Sequence, residues 1–312
     1  MLAREPLASA INKLNTEEAG LLSTVPSILR FAEDVVGLEP DGSYTSYVPL
    51  ERDYPVYTVV AAEEFSTEPH VWCYLVIGCA SYRGYFSQVK AEGFANTLVA
   101  KGLEVHTQGA LAYSTLGWFE DPVLPTMLRY GEVYLVELLL HELTHQRIYL
   151  DGDTRFNEAL ASAVAELGTE LWIATNKPDL LAAYKQTLAL RLDFDQLIAL
   201  HKEKLETLYS QNIDKAAMRE QKHELTALLK HHYEQLKASK WNGDTRYDQW
   251  FEQPVNNARL AGFSSYRELV SDFKWLYKHC ERDFKTLFKR LELELQADEK
   301  GAYRVPKSCS TQ

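Results

Sequence analysis

The sequence predicts an α+β fold that is predominantly helical, with a small β-sheet packed on a buried helix and an added helical hairpin. Three observations support this class. Residues 133–149 form an apolar run of helical length that only a few polar side chains interrupt. Short alternating or small-residue segments precede this run and are typical of strands. A leucine-rich stretch with interspersed charges follows at residues 179–239 and predicts two amphipathic helices.

The segments ahead of the buried run predict one helix and then a small sheet. Residues 8–37 carry apolar side chains at helical spacing and end before the turn signal Asp41-Gly42-Ser43. A further helix is expected at residues 84–101. Strands are expected at residues 57–62, 71–77 and 104–112.

The pentapeptide His141-Glu142-Leu143-Thr144-His145 lies inside the buried run. Histidines four residues apart leave the same face of a helix, where both imidazoles can bind one metal ion. The carboxylate of Glu142 lies beside them and can take a proton from the attacking water. The alternatives are a surface helix with incidental histidines, or core histidines bonded to carbonyl groups. A metal explains them better, because apolar surroundings penalise unpaired polar groups.

A catalytic zinc site also needs a third protein ligand and one open position. Glu158 follows the turn signal Asp151-Gly152-Asp153, so two helices joined by this turn can bring its carboxylate back toward both histidines. Glu166 lies two turns further along roughly the same face. It is the competing ligand, or an outer partner that bonds to a ligating imidazole. In a plainer interpretation, Glu158 is a first-turn carboxylate that favours the helix dipole.

Several sequence blocks besides HELTHQ are distinctive: YRGYF at 82–86, AYSTLGWFEDP at 112–122, FNE at 156–158, and NNARL at 256–260 with Tyr266. Together they resemble the bacterial putative aminopeptidases, which are zinc metallopeptidases of the thermolysin-like gluzincin type. The blocks follow the family's order and span most of the chain, and AYSTLGWF is far more distinctive than HExxH alone. The resemblance implies one Zn²⁺ per chain, peptide-bond hydrolysis and Glu158 as the third ligand.

The resemblance also indicates where a peptide would bind. Related zinc peptidases pair the substrate backbone with an edge strand, and Gly109 and Ala110 would leave room for that approach. Tyr113 would then line the cleft, although a plain core strand is an equal alternative. Tyr266, as a catalytic residue, and Asn257, as a substrate-binding residue, are the candidate donors to the oxyanion. An ordinary packing role is the alternative for the tyrosine.

The predicted function is a zinc-dependent metallopeptidase with Glu142 as general base, and the resemblance favours an aminopeptidase. An endopeptidase with the same site is one alternative. Another is an interaction protein with a vestigial or structural zinc site and the hairpin as its working surface. The intact Glu142 argues against that last interpretation, because a purely structural site has no need for that carboxylate and usually closes with a fourth ligand. The candidates for holding a substrate's α-amino group are Glu137, Glu120 and Asp121.

Three segments of the chain are predicted to have different roles. Residues 1–175 would form the N-terminal part of the catalytic domain, with the sheet and the zinc-site helices. Residues 176–240 would form the hairpin, and residues 241–312 the helical C-terminal part of the catalytic domain. A chain of 312 residues with 46% hydrophobic content can bury a substantial core. Histidines 201, 223, 231 and 232 have charged neighbours and are expected at the surface.

Charge and cysteine content restrict the partners and the compartment. A net charge of −11 provides no electrostatic footprint for nucleic acid, so a peptide is the expected partner; the oligomeric state is open. No run of 18 apolar residues predicts a transmembrane segment, and the first residues show no signal-peptide pattern. The family resemblance, which includes export signals and a Cys73–Cys79 pair, favours a periplasmic or cell-envelope location, with the cytoplasm as the alternative. Cys280 and Cys309 are interpreted as incidental.

Overall fold

A computed structural model of the chain describes residues 4–74, 78–112, 114–115, 118–263, 267–297 and 305–309. Its contacts divide the chain into two compact units. Unit 1 comprises residues 1–55, 110–184 and 266–312, and unit 2 comprises residues 56–109 and 185–265. The chain is 61% helical with small antiparallel sheets, so the predicted, predominantly helical α+β class is confirmed.

Short strands occupy mainly the first third of the chain, and long helices follow them. In chain order, the strands are β1 (Glu5–Pro6), β2 (Ser46–Tyr47), β3 (Val56–Ala62), β4 (Trp72–Tyr74), β5 (Gly78–Ala80), β6 (Arg83–Tyr85) and β7 (Glu104–Ala110). The helices are α1 (Leu7–Ile11), α2 (Thr16–Phe31), α3 (Gln88–Val99), α4 (Gly131–Arg147), α5 (Thr154–Asn176), α6 (Leu181–Tyr209), α7 (Lys215–Ser239), α8 (Asp248–Glu252), α9 (Asn257–Gly262), α10 (Arg267–His279) and α11 (Phe284–Ala297).

In unit 1, α4 and α5 pack closely against each other. A Cβ added to Gly168 of α5 would lie 2.6 Å from Leu140 Cδ1, so glycine permits the close approach of the two helices. The α5 helix begins where expected, because the Asp153 side chain accepts a hydrogen bond from the Phe156 backbone N–H at 2.9 Å. Phe156 then packs edge-to-face on Phe273 of α10, with ring centroids 5.5 Å apart.

Unit 2 contains a three-stranded sheet with the order β6-β3-β7. β3 and β6 run antiparallel, with Tyr57 opposite Tyr85 and Val59 opposite Arg83. The helix that we expected from residue 84 was therefore wrong at its start: residues 83–85 extend the sheet, and α3 begins at Gln88. β7 lies at the edge of the sheet.

The leucine-rich stretch forms α6 and α7, which confirms the predicted helical hairpin. Its core is aromatic as well as aliphatic: Phe194 stacks on Tyr247 with ring centroids 3.8 Å apart, and Tyr233 stacks on Phe251. The prediction that His201 is a surface residue was wrong, because its side chain is only 4% exposed. The contacts place the strands of residues 56–109 in the same unit as most of this hairpin. The three predicted segments grouped those strands with residues 1–175 instead.

Both cysteine pairs form disulfides. Cys73 and Cys79 face each other across the antiparallel pair β4–β5, with their Cα atoms 3.9 Å apart, so the chain reverses between them. Cys280, at the end of α10, is bonded to Cys309, a pairing that the sequence interpretation missed. In the part of the chain that the structure describes, no helix is long and apolar enough to cross a membrane.

Candidate metal centre

The two histidines of the HExxH motif lie one turn apart on α4, as their spacing predicts. Leu139, Leu140 and Leu143 bury the other sides of this part of the helix. The Nε2 atoms of His141 and His145 face each other at 3.1 Å. At this distance one imidazole can donate to the other, whereas one cation between them would use both nitrogen lone pairs.

Glu158 completes a three-residue group from the neighbouring helix α5. Its Oε2 atom is 3.3 Å from His141 Nε2, and its Oε1 atom is 3.7 Å from His145 Nε2. All three residues offer a ligand atom within 4.8 Å of the others. Ligand atoms about 2.0–2.1 Å from a tetrahedral zinc lie roughly 3.3 Å from one another. The group therefore has the spacing that one small cation requires.

Charge and burial act against each other in this group. Burial raises the pKa of Glu158, but its hydrogen bond with His141 and the two imidazoles outweigh burial and leave that pKa lowered. Burial lowers the pKa of His145 to about 4, and the neighbouring His141 contributes to that lowering. His145 therefore stays neutral at pH 7 and keeps a lone pair for a metal ion.

Glu142 lies beside the histidines and is 8% exposed. Burial raises the pKa of its carboxyl group to about 7, while His141 opposes this rise and Glu158 and Asp121 add to it. A carboxylate whose pKa lies near the working pH can both accept and return a proton. His141, His145 and Glu158 could therefore hold a cation, with the buried Glu142 carboxylate beside them.

Comparison with known families identifies the chain. The profile of the family described as "Putative aminopeptidase" matches residues 1–304. The chain belongs to that family. The resemblance that the sequence blocks indicated is thus confirmed. No curated protein and no solved structure gives a significant match.

The family's FNE block has a structural role that the sequence interpretation missed. The Asn157 side chain accepts a hydrogen bond from the Leu150 backbone N–H and donates one to the Leu150 carbonyl, both at 2.8 Å. This two-way contact fixes the turn between α4 and α5. It therefore sets the position of Glu158, the next residue, relative to the histidines. The signal was available, since asparagine side chains often bond to the backbone near helix starts.

A second connection fixes the other side of α4 and also escaped the sequence interpretation. Buried Asp121 accepts hydrogen bonds from the Thr115 backbone N–H at 2.9 Å and from Gln146 Nε2 at 3.4 Å. Gln146 Nε2 also lies 3.3 Å from Ser43 Oγ, which accepts the Asp121 backbone N–H at 3.1 Å. These contacts hold two loops against the helix directly after His145.

Glu166 was expected to be a competing ligand or a hydrogen-bond partner of a ligating imidazole, and its carboxylate contacts Lys274 on another helix. This carboxylate is buried and forms an ion pair with Lys274 of α10. The Nδ1 atom of His145 is buried without a hydrogen-bond partner among the described residues. The role of Glu166 as a partner of a ligating imidazole stays a prediction. On α4, Glu137 accepts a hydrogen bond from the Tyr184 hydroxyl at 2.9 Å and adds to the charges that raise the pKa of His141.

The remaining predicted residues fall into two groups. Tyr113 and Tyr266 lie outside the described residues. Gly109 and Ala110 end the edge strand β7, and their substrate-binding role stays a prediction. Asn257 begins α9 and is 0% exposed. Its carboxamide donates to the carbonyls of Glu63 and Glu64 and accepts from the Tyr209 hydroxyl, so its donors and acceptor are already engaged within unit 2.

Proposed function

We propose that this chain is a zinc-dependent metallopeptidase, and that it acts as an aminopeptidase. The observation that carries the proposal is the spacing of His141 Nε2, His145 Nε2 and a Glu158 carboxylate oxygen, with Glu142 beside them. Membership of the putative aminopeptidase family supports peptide-bond hydrolysis as the reaction. The acidic net charge of −11 is compatible with a peptide partner and unfavourable for nucleic acid.

The donor set favours zinc among the common cations. Two imidazole nitrogens and one carboxylate oxygen are a usual set for catalytic zinc, whereas magnesium and calcium prefer all-oxygen sites. Three protein ligands leave one position open, which a structural zinc site normally fills with a fourth ligand. When bound, zinc would polarise the scissile carbonyl and make water acidic enough to react at neutral pH. His141, His145 and Glu158 would hold it.

Glu142 would perform the proton transfers. As the base, its carboxylate takes a proton from the water that attacks the carbonyl carbon. As the acid, it returns a proton to the amine nitrogen when the carbon–nitrogen bond breaks. Tyr266 remains the proposed donor to the oxyanion, and the strand at Gly109 and Ala110 the proposed substrate-binding edge.

The two disulfides indicate the kind of compartment in which the chain acts. Bonds such as Cys73–Cys79 and Cys280–Cys309 persist in oxidising surroundings and are rare in the cytosol. We therefore propose the periplasm or the cell envelope as the place of action. Alkylation of cells without reductant, followed by mass measurement of the chain, tests this: four blocked thiols would point to the cytoplasm instead.

Metal content and cleavage products test the function together. We expect about one zinc per chain by elemental analysis after reconstitution, and loss of that zinc in Glu158→Ala. The control is Glu132→Ala, which removes an α4 carboxylate that pairs with Lys177 and should leave zinc binding intact. A peptide library read by mass spectrometry should show N-terminal trimming that a chelator stops.

The other outcomes select between the alternatives. Internal cuts that the chelator stops would replace the aminopeptidase with an endopeptidase that uses the same site. A wild-type chain that takes up no zinc would contradict the proposal and favour a vestigial site in an interaction protein.

A further inference from the structure

The turn at residues 41–44 holds a tyrosine in an unusual backbone conformation. Tyr44 has a φ of 60°, a left-handed value that residues with a side chain seldom adopt. It is also 1% exposed, although it is a large side chain in a loop. Non-glycine residues keep such a conformation when surrounding contacts enforce it, and they are concentrated at functional sites.

The contacts that enforce it come from the loops bound to α4. The Tyr44 backbone N–H donates to the Asp121 carbonyl at 2.5 Å, and the Asp121 backbone N–H donates to Ser43 Oγ. Both loops also bind Gln146. Gln146 is four residues after Glu142, so the two side chains leave the same face of α4, one turn apart. Tyr44 is thus fixed next to the face of the metal helix that carries Glu142.

The hydroxyl group of Tyr44 has no hydrogen-bond partner among the described residues, although it is fully buried. A buried hydroxyl without an acceptor is costly and rare. Asp121 and Glu142 are the two carboxylates near enough to raise the pKa of Tyr44 well above its usual value, after burial. The hydroxyl therefore keeps its proton at pH 7 and can donate it in a hydrogen bond to an acceptor. Asp121 already accepts from the Thr115 backbone N–H and Gln146.

We propose that Tyr44 is a positioning residue for Glu142: its hydroxyl donates a hydrogen bond to one buried water, which in turn donates to the Glu142 carboxylate. No described residue otherwise hydrogen-bonds to that carboxylate. The contact fixes one carboxylate oxygen and leaves the other to face the reacting water. The catalytic part of this inference depends on the proposed peptidase function, whereas the contact itself does not.

Tyr44→Phe removes only the hydroxyl group, and Tyr47→Phe is its matched control. Tyr47 is a buried tyrosine three residues later in the same unit, whose pKa is raised to about 12 by burial and by Glu18 and Glu5 rather than by Glu142. We expect Tyr44→Phe to lower kcat about tenfold, because one hydrogen bond in the path to a charged group is lost. KM and the zinc content should match those of the wild type. Tyr47→Phe should leave all three unchanged.

A second readout needs no activity. Thermal unfolding of the metal-free full chain is measured for Tyr44→Phe in the wild type and in a Glu142→Ala background. We expect a Tm loss of about 2–4 °C in the first case and about 1 °C or less in the second, because the acceptor is already gone. Equal losses in both backgrounds, or a gain in both, would overturn the contact.

The two readouts separate this inference from the function on which it depends. If the wild type cleaves no peptide but the thermal coupling is present, the peptidase proposal fails and the contact stands. If the wild type cleaves peptides and Tyr44→Phe keeps the wild-type kcat without thermal coupling, the role of Tyr44 is refuted and the peptidase proposal survives.

Discussion

The buried polar groups on α4 and those around Asn257 in unit 2 differ in how completely they are paired. Around Asn257, the carboxamide bonds to two carbonyls and a tyrosine, and the backbone N–H donates to Glu104 at 2.6 Å. Glu104 in turn pairs with Lys222. On α4, the two histidine nitrogens face each other, and the Nδ1 atom of His145 has no partner among the described residues.

This difference separates a stabilising cluster from a reactive one. A buried polar network in which donors and acceptors match rigidifies the fold and leaves little capacity for a ligand. Two imidazoles and a carboxylate within 4.8 Å of one another instead present ligand atoms that a single cation can bind. We therefore expect changes on α4 to alter chemistry and changes around Asn257 to alter stability.

The largest effect should come from Glu142→Gln. Loss of a general base lowers rates by about 10²–10⁴-fold, while His141, His145 and Glu158 remain to bind zinc. Steady-state kinetics on a trimmed peptide and elemental analysis on the same sample measure both. Zinc binding with full activity would remove Glu142 from the mechanism. Zinc loss would mean that the carboxylate is needed to shape the metal site.

Asn257→Ala should have a large effect on stability rather than on catalysis. It leaves the Tyr209 hydroxyl and two backbone carbonyls without their partner in the interior, and we expect unfolding free energy to fall by about 3 kcal/mol. Denaturant unfolding measures this, with exposed Asn212→Ala, in the loop between α6 and α7, as a control. A variant with normal stability and lowered kcat would support the predicted substrate role of Asn257 instead.

Local patterns in the sequence were sufficient for most of the metal site. Helical spacing placed His141 and His145 together, and the turn signal before α5 allowed Glu158 to return to them. The missed parts depend on distant pairings: Ser43 and Gln146 are 103 residues apart, and Cys280 and Cys309 are 29 apart. No local propensity encodes which loop packs on a given helix, so such contacts follow from tertiary packing.

The wrong prediction for His201 has a different cause, because its position on the helix did indicate that it is buried. Residues 194, 198, 201 and 205 are spaced by four, three and four, which is one face of a helix. The other three are Phe194, Ile198 and Leu205, and all belong to the buried core of the hairpin. The charged neighbours Lys202 and Glu203 lie on other faces, so composition was a poorer guide than periodicity.

The smallest effect concerns this histidine and should appear only in acid. Burial, with Lys204 and His232, lowers the pKa of His201 to about 4 from the ordinary 6.5. The unfolded chain therefore binds a proton that the folded chain excludes between these values, so the stabilising contribution is present above pH 6.5 and is lost as pH falls toward 4. Between pH 7.5 and 5 we expect a loss of about 2 kcal/mol.

A comparison of variants isolates this loss from that of the metal-site histidines. In metal-free protein, His145 contributes acid sensitivity of the same sign, since its pKa is also about 4. Both sources act in the wild type, whereas that of His201 is absent from His201→Leu, so the difference between their denaturant curves at each pH belongs to His201. Exposed His223→Gln should follow the wild type throughout. If His201→Leu loses as much stability in acid as the wild type, His201 takes up its proton in the folded hairpin. A partner outside the core of α6 and α7 would then stabilise the charged imidazole.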